Sequence, residues 1–475
     1  MTSHQSSAGA TSSLHSGTPT ADAATVDVQA FIDDHRFSGF QWIVLALCFL
    51  ILAADGFDTA AIGFIAPALV KHWGVSKTLL GPVMSAALFG LAAGALVAGP
   101  LADRFGRRIV LVVSILWFGG WSLAAAFSPS LDALTIMRFL TGVGLGAAMP
   151  NAVTLMSEYA PASRRGLAVN TMFCGFTLGA SAGGFVAAWL IPAYGWTSVL
   201  LVGGVAPLLL AVLLVALLPE SARFMVARQY PGEKVAKVLD RIAPGTLTGA
   251  ETFVVKEYGA TVQGSPLRQI LSRPIAASSL MLWLTYFMGL LVFYLLTSWL
   301  PTLITDAGFN IGSAAVVTAL FPLGGCFGTV VTGWLMDRSS PYRVVALAYG
   351  LAGLLIFAVG YGSGDLILLG FLVFGAGICM NGAQSSMPTL AAGFYPTNCR
   401  ATGVAWMLGI GRFGGITGAL LGAQLVGFGW SFTTIFGLLA LPALAAALAL
   451  LGAGMRSRTR FAANPAHTKL PSASH

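Results

Sequence analysis

Charge is what this sequence has least of: 9% of its 475 residues are Asp, Glu, Lys or Arg, against 56% hydrophobic residues. A soluble enzyme or nucleic-acid-binding domain needs a far more polar surface, so the composition points to a polytopic helical membrane protein. Histidine is scarcer still. All six (His4, His15, His35, His72, His467 and His475) lie in tails or in the first loop, outside every expected span. A buried histidine site, whether metal centre or general base, is therefore not expected, and neither is a cofactor. The five cysteines (Cys48, Cys174, Cys326, Cys379 and Cys399) are scattered without paired spacing, which yields neither a disulfide frame nor a set of metal ligands. Residues 1–30 have no apolar stretch long enough for the core of a cleavable signal, and their Ser, Thr, Ala and Gly content reads as a disordered tail.

What the chain has instead is apolar length and 58 glycines, a composition suited to helices packed closely in lipid. Apolar windows separated by charged or Gly/Pro-rich loops predict twelve transmembrane spans, the first at about 42–69 and the last at about 430–455. With a cytoplasmic N-terminus, 21 of the 25 Lys and Arg fall on the cytoplasmic side. Two (Lys71 and Lys77) fall outside and two (Arg138 and Arg412) within helices. The positive-inside rule thus places both termini in the cytoplasm and accounts for the net charge of +8 without a nucleic-acid partner. The expected organisation is a tail over 1–40, a six-helix bundle over 41–218, a basic cytoplasmic linker over 219–274, a second bundle over 275–456 and a tail over 457–475.

One stretch of the first span stands apart. Asp55-Gly56-Phe57-Asp58 sets two carboxylates inside an apolar run. Spacing of three places both on one helical face, and Asp55 falls near the membrane midplane. Charge at such depth is costly and marks ion or proton pathways more often than structure, although a tie to a neighbouring helix would also account for the pair.

The halves repeat one another. Gly99-Pro100-Leu101-Ala102-Asp103-Arg104 returns 234 positions later as Gly333-Trp334-Leu335-Met336-Asp337-Arg338, and Gly142-Val143-Gly144 returns as Gly375-Ala376-Gly377. Paired six-helix halves around a central cavity are a transporter architecture. Duplication leaves some charges unmatched: Arg138 corresponds to Leu372, Arg412 to Leu178, and Asp55 to Gly289.

The run from Gly99 through Asp103, Arg104, Phe105, Gly106, Arg107 and Arg108 resembles the loop signature of the major facilitator superfamily. Within that superfamily, Asp55-Gly56-Phe57-Asp58-Thr59 resembles the first-helix signature of the aromatic acid:H+ symporters. Arg138-Phe139-Leu140-Thr141-Gly142, Pro219-Glu220-Ser221-Ala222-Arg223-Phe224 and Arg400 through Arg412 agree with it. The resemblance is closest to bacterial permeases for 4-hydroxybenzoate and protocatechuate. It implies an all-α fold of two pseudo-symmetric six-helix bundles in the inner membrane, working as a monomer. The function it implies is proton-coupled import of an aromatic carboxylate by alternating access, with membrane lipid as surroundings.

On this reading Asp55 and Asp58 are the proton-coupling candidates. Arg138 or Arg412 offers the planar donor fork that a carboxylate needs. Ring walls come from Tyr286 and Trp406, with Phe57, Phe173, Trp283 and Phe287 as further candidates, and Asn151, Asn381 and Gln384 are placed to read ring hydroxyls. The gate is expected at Gly99, Asp103, Arg104, Gly106, Arg107 and Arg108, at their echoes Asp337 and Arg338, at Arg400, and at Glu158 paired with Arg164 or Arg165. A symporter for another organic anion would share the carboxylate fork. A receptor for aromatic acids would bind without accumulating solute.

Overall fold

The computed structural model describes residues 25–247, 251–255, 266–273, 275–362, 364–396 and 399–463. Twelve of its helices are long and apolar enough to cross a membrane. The first six are α2 (Gly39–Trp73), α3 (Leu80–Phe105), α4 (Arg107–Ala125), α5 (Leu131–Tyr159), α6 (Arg165–Tyr194) and α7 (Thr197–Leu217). The second six are α11 (Ala276–Asp306), α12 (Ile311–Arg338), α13 (Pro341–Val359), α14 (Leu366–Phe394), α15 (Arg400–Gly427) and α16 (Phe432–Ala463). Local chemistry sets several starts. Ser38 and Gln41 form a reciprocal capping box on α2, and Ser130, Asn310 and Asp365 cap α5, α12 and α14.

The packing repeats as the sequence repeats. In the first bundle α3 packs on α5, α2 on α6, and α4 on α5 and α7; in the second, α12 packs on α14, α11 on α15, and α13 on α14 and α16. Lipid offers no hydrophobic drive for helix association, so close backbone approach has to supply it. In α6, Gly175 and Gly179 lie against the α2 backbone at Phe49 and Ala53, where a methyl group would collide with main-chain atoms. The bundles meet through α6 on α12, α2 on α11 and α3 on α15.

An even number of spans brings both bundle termini and the segment between the bundles to one face, here the linker face. Short helices lie there: α1 (Val28–Asp34), α8 (Ala222–Ala227), α9 (Gly232–Leu239) and α10 (Pro266–Ile270). Two short strands join them, β1 (Thr25–Asp27) pairing in parallel with β2 (Thr252–Val254). The expected tail over 1–40 is therefore corrected from residue 25 onward. Val28 and Ile32 are buried, Asp33 accepts a hydrogen bond from the Ala162 amide at 2.7 Å, and β1 finds its partner in the linker. That partner is more than 200 residues away in sequence, beyond any local signal. Residues 1–24 lie outside the described residues, as do 464–475 of the expected final tail. The final helix also passes the expected boundary at 456, running to Ala463.

Candidate functional site

The two carboxylates of α2 have different partners. Asp58 is buried, and its Oδ1 accepts from Arg138 Nη1 at 2.7 Å and from Ser122 Oγ at 3.2 Å, while Arg138 Nη2 donates to the Asp58 carbonyl at 3.1 Å. Both side chains of this ion pair are at most 1% exposed. Asp55, also buried, accepts a long hydrogen bond from Thr59 Oγ1 at 3.3 Å, and its Oδ2 has no hydrogen-bond partner among the described residues. The two membrane-embedded arginines therefore differ in their partners. Arg138 is engaged with Asp58, and Arg412 is not part of any of the four ion pairs among the described residues.

Arg412 projects from α15 toward the first bundle, where its Nη1 donates to the Leu91 carbonyl of α3 at 3.3 Å. Its electrostatic neighbours are Tyr294, Tyr286 and Asp55. The glycines on either side of it make room: Gly411 faces the ring of Tyr286 and Gly415 that of Tyr294, so two phenols of α11 flank the guanidinium. Behind Tyr286 lies a polar cluster. Gln384 Oε1 accepts from Tyr349 Oη at 2.6 Å, and Gln384 Nε2 is a buried donor with no hydrogen-bond partner that meets distance and angle among the described residues. The space they occupy is that left by Gly289, the position that duplication aligns with Asp55. A cavity of about 10 Å³ between the bundles is lined by Thr59, Leu91, Arg138, Tyr294 and Ser298. It is the size of one water.

The structure brings Asp55, Arg412, Tyr286 and Gln384 into one neighbourhood and leaves three expected residues out of it. Asn151 Nδ2 donates to the Ala147 carbonyl of its own helix at 2.8 Å. Asn381 Nδ2 donates to Gly377 at 3.0 Å and to Phe321 of α12 at 3.4 Å. These amides tie helix backbones, the role open to any polar side chain in a membrane helix. Trp406 is stacked on Trp283 with centroids 5.9 Å apart, and Trp283 in turn donates to Tyr395 Oη at 3.1 Å. Tyr294, Tyr349 and Ser122 carry no part in the sequence reading, and Thr59 entered it only as the last residue of the first-helix signature; Tyr294 was legible as two helical turns beyond Tyr286 on the same face.

At the linker face the loop signature forms a network centred on a residue the sequence reading gave no role. Glu220 Oε1 accepts from the backbone amides of Arg107 at 2.9 Å and Arg108 at 3.2 Å, placing a carboxylate on the N-terminus of α4. Gly106 makes this possible, since its φ is +95° and its α-carbon faces that carboxylate. Arg107 also reaches Asp103 at 2.9 Å and Glu158 at 3.8 Å. Glu158 therefore pairs with Arg107, not with Arg164 or Arg165, because the α3–α4 loop folds over the end of α5. Arg108 Nη2 donates to the Val215 carbonyl at 2.6 Å, and Arg104 lies over Phe105. The echo in the second half is not built alike: Arg338 lies over the Trp334 ring at 3.9 Å, Asp337 is exposed, and Arg400 Nε donates to the Tyr395 carbonyl at 3.4 Å. Gly99 and Gly333 have no atom close enough for a packing role.

The opposite face holds the two bundles together. Lys77 Nζ meets Asp306 Oδ1 at 2.6 Å, joining the start of the second span to the end of α11. Around it Gly81 faces Ala423, and Gly63 lies against the backbone of Thr297 and Ser298. Lys77 entered the sequence reading only as a loop charge, and Asp306 did not enter it.

Comparison with known proteins agrees with this architecture. The Major Facilitator Superfamily family model matches residues 48–410 and 313–472. The chain is 53% identical over 433 residues to the 4-hydroxybenzoate transporter PcaK of Pseudomonas putida, covering 91% of this chain and 97% of that one. It is 50% identical to a gallate transporter of Pseudomonas putida over 94% of this chain and 98% of the relative. Among solved structures, the inward open xylose transporter XylE from E. coli superposes with a TM-score of 0.68 at 18% identity. That superposition covers 86% of this chain and 95% of that one, a likeness of fold. Twelve membrane helices in two like-packed halves, the loop signature and these matches agree: the chain is a transporter that belongs to the Major Facilitator Superfamily.

Proposed function

We propose that the protein is a proton-coupled symporter that imports a hydroxylated benzoate, 4-hydroxybenzoate foremost, by alternating access. The observation that carries this reading is Arg412, a guanidinium between the bundles that is in no ion pair among the described residues, flanked by Tyr286 and Tyr294 and next to Asp55. An aromatic carboxylate offers such a site a bidentate anion for the fork and a flat ring for the phenols. Gln384 Nε2 is a spare buried donor for a ring hydroxyl. The substrates for which the relatives are named, 4-hydroxybenzoate and gallate, are both hydroxylated benzoates, and this favours the same class here.

Asp55 is the proton carrier in this scheme and Asp58 is not. A carboxylate already held by an arginine and a serine has little reason to exchange a proton during the cycle. One with a single weak partner beside a substrate-binding arginine responds to that arginine's occupancy. Proton uptake on Asp55 removes the negative charge beside Arg412 that would repel the incoming anion, and departure of the anion lets Asp55 give up the proton. The single-water cavity is too small for a ring, so the bundles separate to admit substrate. The distribution of Lys and Arg makes the linker face cytoplasmic. In this conformer the transporter is therefore closed toward the outside, with Lys77–Asp306 as part of that closure, and the membrane is the inner one.

The test is uptake of labelled 4-hydroxybenzoate into proteoliposomes under an imposed pH gradient. Accumulation above the external concentration that collapses with a protonophore is expected. Binding without accumulation would leave a receptor, and accumulation indifferent to the proton gradient would overturn the coupling. A symporter for a different anion would accumulate its own solute and show no competition by hydroxybenzoates.

A further inference from the structure

A cavity at the linker face lies away from Asp55 and Arg412, and its lining is unusual. It measures about 330 Å³ and sits where α7 ends and α9 crosses, with Arg108, Lys234, Lys237 and Arg241 around it and Ala216 and Leu217 as its floor. Helix α9 explains how the charges converge. Val235, Ala236 and Leu239 are buried against the protein, which turns Lys234, Lys237, Val238 and Arg241 together onto the other face at helical spacing.

The carboxylates nearby form no ion pair with these cations among the described residues. Glu220 lines the cavity, but its Oε1 is committed to the amides of Arg107, Arg108 and Ser221. Asp240 accepts from the Gly245 amide, and Glu233, one turn before Lys237, makes no ion pair among the described residues. Three of the four cations make other contacts: Arg241 lies over the Phe40 ring at 4.0 Å, Lys234 lies over the Tyr230 ring at 5.9 Å, and Arg108 donates to the Val215 carbonyl.

The cavity also has an apolar approach. Val202, Val205, Leu209 and Val212 are exposed along one face of α7, and Ala216 continues that face into the cavity floor. On a membrane-spanning helix such a stripe is in contact with acyl chains. We propose that this cavity binds the headgroup phosphate of an anionic glycerophospholipid, with its chains along the exposed face of α7 and its phosphate among Arg108, Lys234, Lys237 and Arg241. A soluble phosphate would satisfy the cations but has no use for the stripe that leads to them. A bound lipid bridges α7, α9 and the start of α4, the helix end that Glu220 caps.

The experiment uses the full chain, purified and stripped of lipid, with native mass spectrometry counting retained lipids during titration with phosphatidylglycerol or phosphatidylcholine. Each cation near the headgroup contributes about fivefold in affinity, so Lys234→Gln with Lys237→Gln is expected to weaken phosphatidylglycerol binding about 25-fold. Both lysines are exposed, so the variant without lipid should melt as the wild type does. Lys71→Gln, on the opposite face, should leave binding unchanged. The proposal is overturned if phosphatidylcholine binds as tightly as phosphatidylglycerol, or if the double variant retains wild-type affinity. It is also overturned if inorganic phosphate displaces the lipid at equal concentration, which would assign the site to a soluble anion.

Discussion

Replacing Asp58 by Asn removes one charge from an ion pair that is almost wholly enclosed. The Arg138–Asp58 contact is 2.7 Å, both side chains are at most 1% exposed, and Arg138 Nε already lacks a partner. Two unit charges about 4 Å apart at an effective dielectric near 20 attract by about 4 kcal/mol. This agrees with the roughly 3–5 kcal/mol that removing one member of a buried pair costs, because the remaining charge stays buried. For a bundle of this size the melting temperature should fall by roughly 6–20 °C. Adding Arg138→Gln removes the stranded charge and should recover most of the loss. Asp55→Asn behaves in the opposite way: it replaces a carboxylate with one weak partner by a neutral amide, so stability should hold or rise while proton-driven accumulation disappears. The assay is thermal unfolding of the purified variants in detergent beside uptake in proteoliposomes. Wild-type stability in Asp58→Asn, or full accumulation in Asp55→Asn, would refute the division of roles between the two carboxylates.

Three further outcomes are expected. Arg412→Ala should weaken 4-hydroxybenzoate binding by about 2–5 kcal/mol, thirtyfold or more, with Arg412→Lys intermediate because the charge survives and the fork does not; calorimetry on purified protein checks both. Gly289→Ala would place a methyl group on Gln384 Oε1, so the amide must move. Competition assays should then show weaker binding of 4-hydroxybenzoate with benzoate little affected. Lys77→Glu sets like charges across the face opposite the linker. Because the native pair is about one-third exposed and worth about 0.2–1 kcal/mol, maleimide labelling of a cysteine introduced at Ser76 should rise by up to about fivefold. The reciprocal Asp306→Lys change should restore it, and high salt should erase the difference.

What the sequence determined by itself is whatever depends on spacing along one chain. Apolar run length fixed twelve spans, because a bilayer core sets the minimum length of a helix that crosses it. The internal repeat carried the pseudo-symmetry, because like segments pack alike. Asp55 and Asp58 were placed on one helical face, because three residues make nearly one turn. The glycine content announced close helix packing, because a missing side chain is itself a packing signal, while the structure assigned Gly175 and Gly179 to α2. Tertiary structure alone decided partnership. Nothing local distinguishes Asp55 from Asp58, or Arg138 from Arg412; the distinction arises because α5 delivers Arg138 to Asp58 across 80 residues. The same holds for Glu220, which caps a helix end 113 residues earlier in the chain, and for Lys77, whose counter-ion Asp306 lies 229 residues away. Asn151 and Asn381 show the converse, polar residues at promising depth whose donors the fold had already engaged. A side chain's chemistry is written in the sequence, but the group that will meet it is chosen by helix packing, which brings together residues that no periodicity relates.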